Sequence, residues 1–365
     1  MVSISIILPT AREDYSIIGS PNLNIFEPTL ESLRNQTFKD FELIVVDGLY
    51  NFRQKLFLEE PFHKEKFAFH IEHVPIEHNP IFNHRFWMDN RRWNICGTVN
   101  TGIIHAKGEL LVRIDDCSEF ERDYLKKFWE GYQSGYFPMA MHIRYLEGKP
   151  AYLDDEYRKK GYESSTSVNF GYKNALEPNR DEILKKVFGE GGLIRDTRYN
   201  YVKDAGGRMT AHINWYYGYS SISLNEALKI NGYDELFDGD RGLSDVDFGS
   251  RLELVGNKNK FILDINHQVI EHEHKSVPES LVDVKKNIKC NYAIYLTNRN
   301  KNKWRANSNI LSEEDIEYIR NESLKFHCSP TPNFYDEDCE GKMFDMWRKN
   351  QPVFDLKEER KLYEE

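Results

Sequence analysis

Two short apolar runs with a helical stretch between them constrain this chain more than any other feature. Ser3–Leu8 and Phe41–Asp47 are rich in β-branched residues and are closed by Pro9 and Gly48. Runs of that length and composition read as strands buried on both faces. Between them, Phe26–Gln36 sets Leu30, Leu33 and Arg34 at helical spacing, with Pro28 tolerated in the first turn. The alternation then repeats. Asn94–Ala106 reads as a helix ending at Gly108, and Leu110–Ile114 is a third strand running straight into Asp115-Asp116. Glu121–Tyr132 carries Tyr124, Leu125, Phe128, Trp129 and Tyr132 on one amphipathic stripe. Strand–helix alternation of this kind predicts an α/β fold with a mostly parallel sheet.

From Tyr145 to Gly218 the chain is polar, aromatic and glycine-punctuated, and its periodicity is weak. Order returns at Ser223–Ile230, Leu243–Val255 and a strand at Lys260–Leu263. Beyond Ser276 the pattern is helical, with Ser312 as N-cap for Glu313–Leu324, and the C-terminal stretch is charged and interrupted by proline. There are no internal repeats and no low-complexity tract.

Composition narrows the function classes. Lys and Arg total 49 against 59 Asp and Glu, a net charge of −10, which argues against a broad nucleic-acid surface while allowing a local basic groove. Hydrophobic residues at 40% suffice for a core, so the chain is not disordered. Five cysteines without a C-x-x-C pair make neither a disulfide scaffold nor a zinc ribbon and suit a reducing cytoplasm. The first residues lack the basic start of a signal peptide. No apolar run reaches the about eighteen residues of a membrane span, so a soluble protein is expected, with peripheral membrane contact left open.

In open α/β sheets, ligands bind at the carboxyl ends of the strands. Thr10 and Arg12 follow the first strand here, Asp47 ends the second, and Asp115 and Asp116 follow the third. Paired carboxylates at a strand end suit Mg²⁺ or Mn²⁺, which fill their other positions with phosphate oxygens and water. The plainer alternative is that two aspartates simply open a loop.

The opening, Ile4 to Thr10 and Leu30 through Asp47 (Leu-Glu-Ser-Leu-Arg-Asn-Gln-Thr-Phe-Lys-Asp-Phe-Glu-Leu-Ile-Val-Val-Asp), resembles a family 2 glycosyltransferase. Asn100 to Leu111 followed by Asp115-Asp116, then Asn231-Gly232-Tyr233-Asp234-Glu235 and Ser244 to Leu252, continue the resemblance in the same order. It covers roughly residues 1–275. The resemblance implies a GT-A fold, with a Rossmann-like, mostly parallel central sheet flanked by helices. It implies a catalytic domain over 1–275, divided into a nucleotide-sugar half (1–118) and an acceptor-side half (119–275). Residues 276–365 are left as a helical C-terminal extension.

The implied activity is metal-dependent, inverting transfer of a sugar from a nucleotide-sugar to a hydroxyl of a glycan, a lipid-linked or a small-molecule acceptor. By resemblance Asp115 holds the ribose side, and Asp116 is the ligand of Mn²⁺ or Mg²⁺ on the diphosphate. The ion would neutralise charge on the departing nucleoside diphosphate. Asp245 is the candidate general base, on a helical face shared with Phe248 and Leu252 near the positive end of the helix dipole; the alternative is a capping role. Ser244 stands where the family usually has an acid, and Asp247 lies two residues beyond the base. One of His272 and His274 would add a metal contact, and alternation on a strand does not choose between them.

The donor pocket departs from the family's Asp-Asp-Gly-Ser, reading Asp47-Gly48-Leu49-Tyr50. Thr10, Arg12 and Asp47 remain base or ribose contacts, helped by Arg91 or Arg92, and a UDP-sugar is the default donor. Trp215 and Tyr217, just before the acceptor-side motif, offer aromatic faces for sugar stacking or for core packing. Gly206-Gly207 would hinge a loop or form a turn. Two alternatives compete. One is a transferase acting on hydroxylated bases in DNA through Arg85, Arg91, Arg92, Arg299, Lys301, Lys303 and Arg305. The other is a non-catalytic nucleotide- or glycan-binding module.

Overall fold

The computed structural model describes residues 2–11, 16–17, 20–24, 26–59, 62–76, 95–145, 193–195, 198–211, 216, 218–238, 242–272, 284–307, 312–325 and 353–364. Its strands are β1 (Ile4–Thr10), β2 (Ser16–Ile17), β3 (Ser20–Asn24), β4 (Phe41–Asp47), β5 (His70–Pro75), β6 (Leu110–Arg113), β7 (Ser118–Phe120), β8 (Phe137–Tyr145), β9 (Leu193–Arg195), β10 (Arg208–Thr210), β11 (Ser221–Ser223) and β12 (Phe261–His272). Its α-helices are α1 (Phe26–Arg34), α2 (Tyr50–Arg53), α3 (Ile95–His105), α4 (Tyr124–Gln133), α5 (Arg198–Asp204), α6 (Leu224–Lys229), α7 (Ser244–Leu252), α8 (Val284–Asn300), α9 (Glu313–Lys325) and α10 (Leu356–Lys361).

The central sheet runs β11-β6-β1-β4-β5, parallel throughout except for β11, which pairs antiparallel with β6. Helices flank it, as the alternation predicts. β1, β4 and β6 are almost wholly buried, which is why they read as continuous apolar runs. α3 lies against β1 so closely that a β-carbon at Gly102 would collide with the side chain of Ile7. Only glycine permits that approach.

β1 does not stop at Pro9 but continues to Thr10. In a parallel strand a residue's N–H and C=O point to the same neighbour. The carbonyl of Ile7 accepts from Ile114 on the β6 side, and that of Thr10 accepts from Gly48 on the β4 side. Pro9 therefore faces the β6 side, where strand pairing has ended at Ile7↔Arg113, and its missing donor breaks no ladder.

A second sheet runs β10-β12-β8-β9, with β7 added along β12, and local periodicity in the sequence does not announce it. The strand expected at Lys260–Leu263 is the first part of β12, whose pairing with β8 shifts register between Leu263 and Gln268 and then resumes. The polar residues in that interval interrupt the apolar pattern without ending the strand. One segment joins the two sheets: Tyr219 O accepts from Ala140 of β8, and Ser220 O accepts from Arg113 of β6.

Much of the aromatic content packs this core. Tyr233 stacks on Phe248 at 4.2 Å, and Tyr216 lies 5.0 Å from Phe248 and 5.3 Å from Phe261. Ser312 caps α9 as expected, its Oγ accepting from the N–H of Asp315 at 3.2 Å. The described C-terminal residues close back on the core through Asn231. Its Nδ2 donates to the carbonyls of Ala306 and Phe354, and its Oδ1 accepts from the N–H of Leu356 at 2.7 Å. Among the described residues no helix is long and apolar enough to cross a membrane.

Candidate functional site

The carboxyl ends of β1 and β6 lie side by side because the two strands are paired neighbours, and their polar residues meet there. Thr10, buried at the end of β1, donates its hydroxyl to Asp116 Oδ2 at 2.8 Å. Thr29 of α1 donates to the carbonyl of Ser118 at 2.7 Å, fixing the turn that follows the two aspartates. Asp116 is 5% exposed, whereas Asp115 is only partly buried. Burial pushes the Asp115 carboxyl up to about 6; the charge of Arg113 opposes this, and the carboxylates of Glu271, Asp116 and Asp245 add to it. The site therefore concentrates negative charge, the condition in which a divalent cation binds.

Glu271 of β12 belongs to the same site. The β12–β7 pairing sets it opposite Ser118, and its Oε1 accepts from the Tyr219 hydroxyl at 2.9 Å. Ser118 Oγ lies 2.8 Å from that hydroxyl and 2.6 Å from the carbonyl of Asp115. Tyr219 holds this place with φ of 63°, a left-handed conformation uncommon for a bulky residue. The sequence singled out His272 and His274 and passed over Glu271. The available signal is a charged residue directly after the buried apolar pair Val269-Ile270.

Asp245 comes to this end of the sheet from the first turn of α7. Its Oδ1 accepts from Arg113 Nη1 of β6 at 2.5 Å, and its side chain is 27% exposed. Leu243 is the N-cap residue of α7 and no side chain caps the helix, so Asp245 is not acting as the N-cap. Asp247 does something different. It is buried, accepts from Arg251 Nε at 2.7 Å and from Asn298 Nδ2 at 2.9 Å, and ties α7 to α8.

Asp47 ends β4, its side chain fully buried. Oδ1 accepts from the N–H of Leu49 at 2.8 Å and from Arg53 Nη2. Oδ2 accepts from Arg53 Nε at 2.9 Å and lies 3.0 Å from His73 Nε2. Burial alone would raise this carboxyl, but the His73 and Arg53 hydrogen bonds and the Arg53 charge outweigh it and hold it below the usual carboxylate range.

Arg12, Arg85, Arg91, Arg92, Trp215, Tyr217 and His274 lie outside the described residues, as does the side chain of His272, whose backbone ends β12. Gly206 and Gly207 form a left-handed turn between α5 and β10, with φ of 85° and 94°. Of the basic residues considered for a nucleic-acid groove, Lys303 is paired with Asp234 at 3.1 Å, Lys301 with Asp315 and Arg305 with Asp355. Each of these three faces a carboxylate of its own chain.

No protein-family description matches this sequence, and no curated protein matches it. Solved structures do. The crystal structure of S. aureus TarS 1–349 in complex with UDP-GlcNAc aligns with 95% of this chain and 81% of its own, at 13% identity and a TM-score of 0.46. The UDP complex of the same TarS fragment aligns with 95% and 80% at 13% identity, with a TM-score of 0.43. Against the longer S. aureus TarS crystal structure the shares are 98% and 54%, at 13% identity and a TM-score of 0.41. At such identity nothing about activity passes from TarS to this chain.

Among the described residues no group of three or more His, Cys, Asp or Glu is arranged to hold an ion. Mg²⁺ and Mn²⁺ do not require one, because one or two carboxylates with substrate phosphates and water complete their shell. Asp115 and Asp116 fit that role.

Proposed function

We propose that this chain is a glycosyltransferase of the GT-A type. It would move a sugar from a nucleotide-sugar, uridine-linked by default, to a hydroxyl of a glycan, lipid-linked or small-molecule acceptor, with inversion and with a divalent cation. One observation carries this reading: Thr10, Asp115 and Asp116 converge at the ends of β1 and β6, and Asp245 is held against the same strand by Arg113.

Asp116 would hold Mn²⁺ or Mg²⁺, with Asp115 beside it toward the ribose and one of His272 and His274 as a further contact. When bound, the ion supplies charge neutralisation for the departing diphosphate. Thr10 orients Asp116, and Thr10, Arg12 and Arg92 would line the nucleotide side, with Asp47 contributing there through Arg53 and His73, which hold its buried carboxylate. Asp245 takes the proton of the acceptor hydroxyl as its oxygen attacks the anomeric carbon. Trp215 and Tyr217 offer stacking faces to the sugar. In this proposal residues 1–275 form the catalytic unit, with 1–118 on the donor side and 119–275 on the acceptor side. Residues 276–365 form the helical extension, and the enzyme works in a reducing compartment.

A thermal-shift screen of nucleotide-sugars with and without Mn²⁺ tests the donor and the ion together. Stabilisation by one donor that depends on the ion, abolished in Asp116→Ala, is the expected result. Asp245→Asn should bind that donor normally and transfer it at least about 100-fold more slowly. Absence of any nucleotide-sugar binding, with or without the ion, overturns the proposal.

A further inference from the structure

Arg113 is an unexpected residue to find at the end of a buried strand. Its side chain is 12% exposed, and a guanidinium is costly to bury without partners. Nη1 donates to Asp245 Oδ1 at 2.5 Å and reaches the Tyr233 hydroxyl at 3.3 Å. The guanidinium carbon stands 5.9 Å from the Tyr233 ring centroid. That ring is stacked on Phe248 at 4.2 Å with an interplanar angle of 16°. Phe248 is three residues after Asp245 on α7, so both ends of the ion pair are anchored to one aromatic stack.

One fact separates this pair from a structural strut. A buried donor without a hydrogen bond is common to both, Nε in Arg113 and Nη2 in Arg251, so the difference lies in the carboxylate. Asp245 Oδ1 is engaged, while among the described residues Oδ2 receives no hydrogen bond. The buried pair of Asp247 and Arg251 on the same helix looks different. Arg251 Nη1 also donates to the carbonyls of Ile230 and Gly232, and both oxygens of Asp247 are occupied.

We infer that Arg113 is the positioning residue for Asp245, fixing its carboxylate by Oδ1 and leaving Oδ2 to accept the acceptor's proton. This rests on the glycosyltransferase reading and on Asp245 as its base. In the step concerned the acceptor's O–H bond breaks, and its proton goes to Asp245 Oδ2. The acceptor oxygen forms a bond to the anomeric carbon. The bond from that carbon to the phosphate oxygen breaks, its electron pair leaving with the nucleoside diphosphate.

The test uses the full chain with a panel of UDP-, GDP-, dTDP- and CMP-sugars and Mn²⁺, read as nucleotide release to water or acceptor. Nucleotide affinity is measured separately by calorimetry. Arg113→Gln is expected to lower kcat at least about 100-fold, with KM and nucleotide affinity unchanged within roughly two-fold, the loss expected when a general base is disabled. Arg113→Lys keeps the charge without the fork and should retain about a tenth of wild-type kcat. The double variant Arg113→Gln/Asp245→Asn should be no slower than Asp245→Asn alone, because the first residue acts through the second. If Arg113→Gln does not fold, a roughly ten-fold kcat loss in folded Arg113→Lys, at unchanged nucleotide affinity, carries the same conclusion. Wild-type kcat in either variant, or a double variant slower than Asp245→Asn, overturns the assignment of Arg113 alone. A wild-type chain that neither binds nor turns over any of these sugars overturns the glycosyltransferase reading, and the role of Arg113 falls with it.

Discussion

The backbone at Gly218 passes so near the carboxylate of Asp115 that a β-carbon there would stand 3.0 Å from Oδ2. The close approach is imposed from both sides, since the next two residues are hydrogen-bonded to β8 and β6. Gly218→Ala should therefore displace the Asp115 side chain by a few tenths of an ångström while leaving the sheets intact. Donor turnover is expected to fall on the order of ten-fold, because reacting groups tolerate little misplacement. Steady-state kinetics beside a thermal melt checks this; a lowered melting temperature with unchanged turnover would show that Gly218 matters only for folding.

The raised Asp115 carboxyl sets a pH dependence of stability. Its folded value of about 6 lies above the ordinary 3.8, so between these values the folded chain holds more protons than the unfolded one. Stability contributed by this group therefore falls as pH rises from about 4 to about 6 and is level beyond that. Urea unfolding across this range should show the decline in wild type and a flatter profile in Asp115→Asn.

The two aspartates of α7 should separate cleanly on mutation. Asp247 and Arg251 are 2% and 1% exposed, and removing one partner leaves a buried charge. Arg251→Met is expected to cost about 3–5 kcal/mol in urea unfolding. Asp245→Asn, at a partly exposed site where the amide oxygen can still accept from Arg113, should cost less stability than Arg251→Met while lowering kcat at least about 100-fold. Equal destabilisation by both variants would place Asp245 in the framework instead.

Leu356 is fully buried beside Gly232, and its N–H is held by Asn231. Leu356→Ala should cost about 2–5 kcal/mol, the usual range for emptying a leucine site. Chemical denaturation measures it directly, and a change below about 1 kcal/mol would mean that α10 docks only loosely.

The parts of this molecule legible in the sequence are those in which neighbouring residues carry the information. β4 spans Phe41–Asp47 as its apolar run indicates, and α1 and α3 fall within the stretches read as helical. Asp115 and Asp116 stand out because they follow an apolar strand directly. Pro9 misled because its effect depends on which neighbour lies beside it, and that is a property of the sheet. β7, β8 and β9 are defined by pairing with residues distant in the chain, which local periodicity does not encode.

Two residues show where the boundary lies. Arg113 and Glu271 are each a charge set in an apolar strand, visible as anomalies in the sequence but without a stated purpose. Local patterning determined that strands and helices alternate and that carboxylates follow a strand, because burial and periodicity act over a few residues. Which carboxylates meet was decided by tertiary structure alone. Pairing of β6 with β1 brings Thr10 to Asp116, and pairing of β12 with β7 brings Glu271 to Ser118. The packing of α7 brings Asp245 to Arg113 across 132 residues of chain. Charges interact through space, and the distances that set their strength exist only once the sheets have formed.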